Sequence, residues 1–403
     1  MGPAGPEAAL AKDSLTVDLS AGLQGSTNAN LGSGGSSTVG GLATAAANYR
    51  IAEERTTLDL GASGSASTYF NGQSSDLSAG VSADLQHRAS ERLSVQLFGH
   101  YSYSQSNGSG YLLLPAGLAL LPPGTVLAPG TPTSQIIITP PPTGTGAVLP
   151  PDVTVLGRRL TQKSFGGGGS LQWRLSPRTS LFLSASANRQ TYNDPLLSSY
   201  RSFGQSATLT RQVSESTSVF GQFQISEIRY DNGEHDTIMT PMIGVTRQLN
   251  RIFSASVSGG ASIVHSRLPD GTRFHSSTLA MAANVCGKYE HSRLCFNASR
   301  QETPTSLGGV RPQTSASVIY ADQRNANDTL TLTGQFDRSG RDSRRIFPAQ
   351  SSAAGTARYD HRLSDRLSLF GSAQYIRIWQ SGAPGRSDLR GAVGIALRLG
   401  EKG

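Results

Sequence analysis

Hydrophobic and polar residues alternate along most of the chain with a period of two. In the stretch SLTVDLSAGLQ, Leu15, Val17 and Leu19 alternate with polar residues. A β-strand places successive side chains on opposite faces, so this alternation predicts strands with one apolar and one polar face. No run of comparable length has the helical period. The same alternation recurs within residues 77–86, 253–262 and 389–399.

The connections between these strands are of two kinds, and the two kinds alternate. Short turns include RASER (88–92) and LSDR (363–366), whereas Gly-, Pro-, Asn- and Asp-rich loops include 193–201 and 303–312. The segment 105–158 is far longer than the other loops. Short turns on one side and long loops on the other are typical of outer-membrane barrels, in which the short turns face the periplasm.

This pattern predicts an all-β fold, a transmembrane antiparallel up-and-down β-barrel of about 18 strands with both chain ends on the short-turn side. A soluble β-sandwich would need an apolar interior, and a solenoid would need a fixed sequence repeat. The predicted organisation is an N-terminal periplasmic tail (1–12), one barrel (13–399) containing the Pro-rich extracellular or lumen-inserted loop (105–158), and a C-terminal tail (400–403).

Composition agrees with a sheet that is apolar on one face and neutral-polar on the other. Hydrophobic residues make up 36% of the chain, charged residues 15%, and there are 46 glycines. The net charge of +8 comes mostly from arginines spread along the chain, without a basic helix. Because no DNA- or RNA-binding motif accompanies them, we expect no nucleic-acid partner.

Two kinds of targeting segment are missing from the sequence. No apolar run reaches the roughly 18 residues of a membrane-spanning helix. The first residues, MGPAGPEAALAKDS, lack a charged region followed by an apolar one, so no secretory signal is visible. An exported protein would have lost its signal or would begin downstream of it.

Aromatic side chains lie mostly on the apolar face near strand ends. Such placement predicts the aromatic girdles of a membrane barrel, although aromatics also favour strands in general. The residues concerned are Tyr49, Tyr101, Tyr103, Trp173, Tyr289, Tyr320, Tyr359, Tyr375 and Trp379.

The stretch NVCGKYEHSRLCFN holds both cysteines of the chain, Cys286 and Cys295. The strand pattern places both on the polar face, and a YEHS turn places them opposite each other across a hairpin. We therefore predict a disulfide near the periplasmic rim, with a pair of free thiols as the alternative. A metal site would need further ligands, and a C-x-x-C redox motif is missing.

The polar face predicts the chemistry of the barrel lumen. Its residues are small or carry amides and are almost entirely uncharged, whereas a charge-selective pore would carry rings of Arg or Asp. Amides and hydroxyls offer many weak, exchangeable hydrogen bonds. The predicted lumen-lining amides are Gln96, Gln172, Asn188, Gln190, Gln222, Gln224, Asn297, Gln335 and Gln374.

Basic residues on the same face lie near the short-turn ends and predict a basic periplasmic mouth. Such a mouth would attract an acidic polymer or an acidic partner protein. The alternative is that arginine is simply tolerated where a strand leaves the membrane. The residues are Arg50, Arg88, Arg174, Lys288, Arg293, Arg358 and Arg398.

The remaining motifs do not indicate an enzyme. The motifs G-x-S-x-G, H-E-x-x-H and G-x-x-x-x-G-K-[ST] are not found, so we predict no catalytic residues, metal or cofactor. The stretch SFGGGGSLQW lies in a strand, where small residues allow something to approach the wall. The apolar, Pro-rich segment 105–158 is expected to act as a gate or lid, or else to be a floppy loop.

A short turn followed by R-L-S or T-S recurs in ASERLSVQLFGHYSYS, LSPRTSLFLSASANRQ and LSDRLSLFGSAQYIRI. This phrase resembles a broad family of Gram-negative outer-membrane β-barrels that are often associated with export of surface polysaccharides. The resemblance implies a bacterial outer-membrane location, contact with lipid, and a passive conduit for an exopolysaccharide chain with a periplasmic export partner. The alternatives are a general diffusion porin for small solutes and a plugged, non-transport barrel such as an adhesin.

Overall fold

Eighteen β-strands form the protein in the computed structural model, which describes residues 12–29, 31, 37–70, 75–106, 160–341, 349–380 and 384–400. In chain order the strands are β1 (Lys12–Ser26), β2 (Thr38–Ala52), β3 (Thr56–Tyr69), β4 (Asp76–Ser90), β5 (Leu93–Ser106), β6 (Leu160–Ser176), β7 (Thr179–Tyr192), β8 (Tyr200–Ser214), β9 (Thr217–Tyr230), β10 (His235–Gln248), β11 (Phe253–Arg267), β12 (Arg273–Lys288), β13 (Ser292–Pro304), β14 (Val310–Gln323), β15 (Asp328–Ser339), β16 (Gln350–Arg362), β17 (Leu367–Gln380) and β18 (Arg386–Gly400).

The strands form one closed sheet. Each strand is antiparallel to its neighbours, and β1 pairs with both β2 and β18. Because the sheet closes on itself, every strand has a paired neighbour on both sides, which is how β-structure satisfies its backbone groups in a bilayer. The described residues contain no helix long and apolar enough to cross a membrane. The predicted up-and-down barrel of 18 strands, with both ends on the short-turn side, is confirmed.

The outer face of the barrel is apolar and its inner face is polar. In β1, Leu15 and Leu23 are 51% and 57% exposed, whereas Asp18 is 7% exposed. The other strands repeat this arrangement, with exposed Leu, Val, Ile and Phe around the outside. A surface of this kind is stable against lipid rather than water. The polar interior also removes the β-sandwich alternative.

Exposed Trp and Tyr side chains lie on the outer face, and several of them are near strand ends, as the sequence predicts. Trp173 and Tyr359 lie near the short-turn ends of β6 and β16, and Tyr375 lies toward the other end of β17. Their amphipathic rings suit the boundary between the lipid and water.

Loops on the long-loop side are not all longer than the turns on the other side. The connection 231–234 and the turn 249–252 are both four residues long. It is compact because Gly233 has a positive φ of 91° and the Asn232 side chain accepts a hydrogen bond from the Glu234 N–H (3.0 Å). The predicted gate (105–158) falls between β5 and β6, and its residues 107–158 lie outside the described chain.

The glycine run of SFGGGGSLQW makes room for aromatic side chains of the neighbouring strand. Phe98 lies directly opposite Gly168, and a Cβ added at Gly168 would lie 2.8 Å from the ring. Phe220 and Gly244 form the same cross-strand pair on the inner wall. Aromatic packing over glycine compensates for the missing side chain in a strand. The group that lies against the glycine run is therefore a side chain of the barrel itself, Phe98.

Candidate functional site

Rows of hydroxyl and amide side chains run around the inner wall. Directly opposed residues of adjacent strands share a face, so the strand register defines each row. The hydroxyls of Ser184 and Ser206 illustrate this, since they are hydrogen-bonded across β7 and β8 at 2.7 Å. One continuous row, called the polar row below, consists of Gln96, Ser170, Ser184, Ser206, Gln224 and Thr240.

The structure places the predicted lumen-lining amides on the inner face, and several are tied to neighbours in the wall. The Gln96 amide donates to Asp84 (2.5 Å), and the Gln335 amide donates to Asp337 (2.7 Å). The side-chain oxygen of Asn188 accepts a hydrogen bond from Ser164 (3.1 Å). On the same face lie Gln172, Gln190, Gln222, Gln224, Asn297 and Gln374.

The tip of the β13–β14 hairpin leaves the wall and enters the lumen. Pairing between β12 and β13 ends at Met281 and Arg300, whereas β13 and β14 stay paired as far as Pro304 and Val310. Residues 302–311, called the inner hairpin below, are all buried except the partly buried Leu307. A hairpin buried on both faces inside a barrel narrows the lumen at the long-loop end.

Two glycines form the turn of the inner hairpin. Gly308 and Gly309 have φ values of 86° and 75°, in the left-handed region that glycine adopts without steric cost. The Thr305 N–H donates to the Gly309 carbonyl (3.1 Å), and the Gly308 N–H donates to the Thr305 carbonyl (3.1 Å). A Cβ at Gly308 would lie 3.3 Å from a Glu234 carboxylate oxygen, so the turn is also sterically close to the β9–β10 loop.

The inner hairpin packs across the lumen on the wall formed by β8–β11. Val310 joins an apolar cluster of inward-facing side chains from these strands, among them Ile228, Ile238 and Val264. The Tyr230 hydroxyl donates a buried hydrogen bond to the Gly309 carbonyl (2.8 Å). Burial of apolar side chains together with this bond holds the hairpin against the wall.

A second contact joins the inner hairpin to the β7–β8 loop. The Ser198 N–H donates to the Ser306 carbonyl (2.6 Å). Leu307 packs against a small cluster formed by Leu160 and Leu197. The hairpin therefore reaches from β13 and β14 as far as the start of β6, over several strands of the barrel.

The long-loop end of the interior carries more charge than the sequence analysis predicted. Asp236, Asp337 and Asp388 are buried, and Arg311 of the inner hairpin is 1% exposed. The expectation of an almost uncharged inner wall is wrong at this end. Asp337 shows the physical reason, since its carboxylate accepts hydrogen bonds from Ser315 (2.6 Å) and Gln335 and so is held within the wall.

Sequence reasoning missed these charged residues although the same pattern contained them. Every second residue of β15 faces inward, so Asp337 follows Thr331, Thr333 and Gln335 on the same face. The inward-facing phenylalanines were missed because aromatics were assigned to the outer face.

A second segment turns inward between β1 and β2. Leu31 (φ 48°) is fully buried and packs on Ile376 and Ile378 of the inner wall. Asp388 accepts hydrogen bonds from the Ser26 hydroxyl (2.7 Å), the Asn28 N–H (2.9 Å) and the Arg390 guanidinium (2.5 Å). These bonds hold the segment on the wall of β17 and β18.

The seven residues predicted as a basic mouth lie on the inner face at the short-turn end. Three of them are next to carboxylates: Arg50 beside Asp59 (3.7 Å), Arg358 beside Asp360 (2.7 Å) and Arg398 beside Asp18 (2.8 Å). Carboxylate neighbours reduce the positive field at this end. The remaining four are Arg88, Arg174, Lys288 and Arg293.

The disulfide between Cys286 and Cys295 is confirmed. The two residues are directly opposed in β12 and β13, next to the opposed pair Lys288 and Arg293. This strand pair has only eight paired positions, against thirteen for β13 and β14, because the inner hairpin leaves the wall. The disulfide thus joins the two strands whose other ends separate.

Comparisons with known proteins find similarity of backbone only. No protein-family model and no curated protein matches the chain. Similar solved structures include the FrpB iron transporter of Neisseria meningitidis (9% identity, TM-score 0.48, covering 92% of this chain and 62% of that chain). They also include OccK9 (OpdG) of Pseudomonas aeruginosa (11%, 0.46, 96% and 99%) and the ferric-catecholate import receptor Fiu of E. coli K12 (10%, 0.48, 96% and 82%). The chain thus spans less than two thirds of the FrpB chain.

Closure of the sheet, the apolar outer face and the alternation of turns and loops are properties of this chain itself. Together they meet the requirements for a strand-built protein in the bacterial outer membrane. The chain is a closed, antiparallel, 18-stranded β-barrel of the Gram-negative outer membrane.

Proposed function

We propose that the barrel is a passive channel for polar, uncharged solutes, with carbohydrates as the favoured class. The observation that carries this proposal is the inner hairpin at 302–311. A barrel of this strand number is wide enough for an aqueous channel, and a hairpin packed inside it narrows the passage.

The chemistry of the wall supports uncharged substrates. The polar row presents hydroxyls and amides, which exchange hydrogen bonds with a sugar at little net cost. The Asp337 carboxylate accepts hydrogen bonds from Ser315 and Gln335 of the wall, and the Asp388 carboxylate accepts them from Ser26 and Arg390. Both are therefore held by neighbours rather than forming a ring of free charge. Weak selectivity between cations and anions follows.

A passive conduit for an exopolysaccharide is the second candidate function. The uncharged rows of the inner wall favour it, because a polymer can slide past many equivalent weak hydrogen bonds. In that case Lys288 and Arg293, beside the disulfide, would belong to a periplasmic mouth that receives an acidic polymer or an export partner.

Swelling of proteoliposomes in isotonic sugar solutions tests the proposed channel. We expect rates that decrease steeply with sugar size, and little difference between a neutral sugar and a singly charged sugar of equal size. Equal rates for all sizes would contradict a constricted channel. Rates that depend strongly on charge would contradict a neutral one.

Addition of soluble polysaccharide separates the two candidate functions. A polymer conduit is expected to show current block by long sugar chains, most strongly after deletion of about residues 108–152, the segment predicted to act as a gate. A small-solute channel is expected to be indifferent to the polymer in both forms.

A further inference from the structure

Three arginines form a row on the outer face of the barrel. Arg189 of β7 lies directly opposite Arg201 of β8, and Arg201 lies directly opposite Arg229 of β9. Like charges directly opposite each other on a sheet destabilise it, and a bound anion would relieve this repulsion. The row is therefore a candidate site for an anionic ligand.

The row lies at the long-loop boundary of the membrane. Arg201 and Arg211 face outward from the same strand, ten residues apart. At a rise of about 3.3 Å per residue and a tilt of about 40°, they are separated by about 25 Å along the membrane normal. This distance matches the height of the apolar band in outer-membrane barrels. The two arginines thus mark opposite boundaries of the band, and the row belongs to the outer leaflet.

A groove of about 470 Å³ runs along this row. Its floor is both cationic and apolar, since Phe165 and Phe203 are 66% and 45% exposed on the same outer face. One carboxylate is present, Glu227, which lies 3.6 Å from Arg229. The residues that define the groove are Phe165, Arg189, Arg201, Phe203, Glu227 and Arg229.

We infer that this groove binds a phosphate-bearing glycolipid of the outer leaflet. Guanidinium groups bind phosphate oxygens through paired, charge-assisted hydrogen bonds, and three adjacent guanidiniums suit a headgroup with more than one phosphate. The acyl chains extend along Phe203 and the apolar band below it. The ligand is a membrane lipid rather than free phosphate, because the groove opens onto the lipid-facing surface. The site is independent of what the lumen conducts.

Native mass spectrometry of the purified barrel tests this site with bisphosphorylated lipid A as the probe. The variant R189Q/R201Q removes two charges from the row and leaves Arg229 beside Glu227. The matched control R211Q/R247Q removes two outward arginines at the opposite boundary. We expect the affinity for lipid A to fall by about tenfold or more in R189Q/R201Q and to stay unchanged in the control.

Two further arms identify the source of the anion. Dephosphorylated lipid A is expected to bind wild type and R189Q/R201Q with the same weak affinity. Inorganic phosphate at 10 mM is expected not to displace lipid A from wild type. Equal binding of lipid A to wild type and R189Q/R201Q would overturn the proposal. An equal loss in R211Q/R247Q would also overturn it, because binding would then follow net charge alone. Circular dichroism confirms that each variant retains its strands.

Discussion

At the scale of single residues, glycines make room for two of the phenylalanine rings on the inner wall. A Cβ added at Gly244 would lie 2.3 Å from the Phe220 ring and 2.7 Å from the Val257 carbonyl oxygen, which belongs to the backbone. Contacts this short force the strand or the ring to move. The Phe98–Gly168 pair has the same geometry on the other side of the polar row.

The variant Gly244→Ala is therefore expected to lower the free energy of unfolding by about 1–3 kcal/mol, the usual cost of overpacking. Gly221→Ala, on the adjacent strand, is the control, because nothing lies within 4 Å of a Cβ at Gly221. The control should change stability by less than about 0.5 kcal/mol. Urea titrations followed by tryptophan fluorescence in detergent measure both, and equal effects would contradict the role of the Phe220 contact.

Asp388 anchors the inward segment between β1 and β2 through Ser26, Asn28 and Arg390. Asp388→Ala leaves the Arg390 guanidinium, which is mostly buried, without this partner. We expect a loss of about 3 kcal/mol in the free energy of unfolding. Asp270→Ala, which removes one exposed hydrogen bond from the Thr272 N–H (2.8 Å), is the control and should cost about 1 kcal/mol or less. A stable Asp388→Ala variant would show that the other contacts of the segment, such as Leu31 packing and the hydrogen bond from the Thr27 N–H to the Leu389 carbonyl, hold it without Asp388.

At the scale of elements, the β12–β13 pair connects the disulfide to the constriction. The inner hairpin leaves the wall at Arg300, so the ladder between β12 and β13 is short, and the bond between Cys286 and Cys295 lies at its paired end. A disulfide stabilises chiefly by restricting the unfolded chain. Here it also limits how far the separation of the two strands can extend toward the periplasm.

The double variant C286S/C295S is expected to lower the free energy of unfolding by about 1–3 kcal/mol. Hydrogen exchange should increase first in β12 and β13, since their ladder is the shortest. Treatment of wild type with reductant should reproduce both changes and should have no effect on the variant. Unchanged exchange in these two strands would contradict a role for the disulfide in holding the pair together.

At the scale of the whole molecule, period-two alternation together with the alternation of short turns and long loops predicts the barrel, its count of about 18 strands and which face meets lipid. Each strand carries this information locally. Leu15 and Asp18 of β1 lie on opposite faces of the strand whichever strands pair with it. The inner hairpin is different. Its burial depends on Val310 and Gly309 meeting Ile228 and Tyr230, which are distant in sequence.

The candidate site, like the fold, was predictable from the sequence only in part. The inward amides follow directly from parity, whereas the narrowing of the lumen depends on contacts that no local pattern encodes. The sequence directs attention to segment 105–158 as the gate, because its length and proline content are conspicuous. The inner hairpin is ten residues long and is recognisable in the sequence only by PTSLGG, an ordinary turn signal.

Single-channel conductance in a planar bilayer tests the constriction by the inner hairpin most directly. In the test variant, residues 302–312 are replaced by Asn-Gly, a turn that keeps Gln301 opposite Gln313. Deletion of residues 270–271 in the exposed β11–β12 loop is the control. We expect a severalfold larger conductance in the test variant and no change in the control. Equal conductance in wild type and test variant would contradict the claim that the inner hairpin sets the width of the channel.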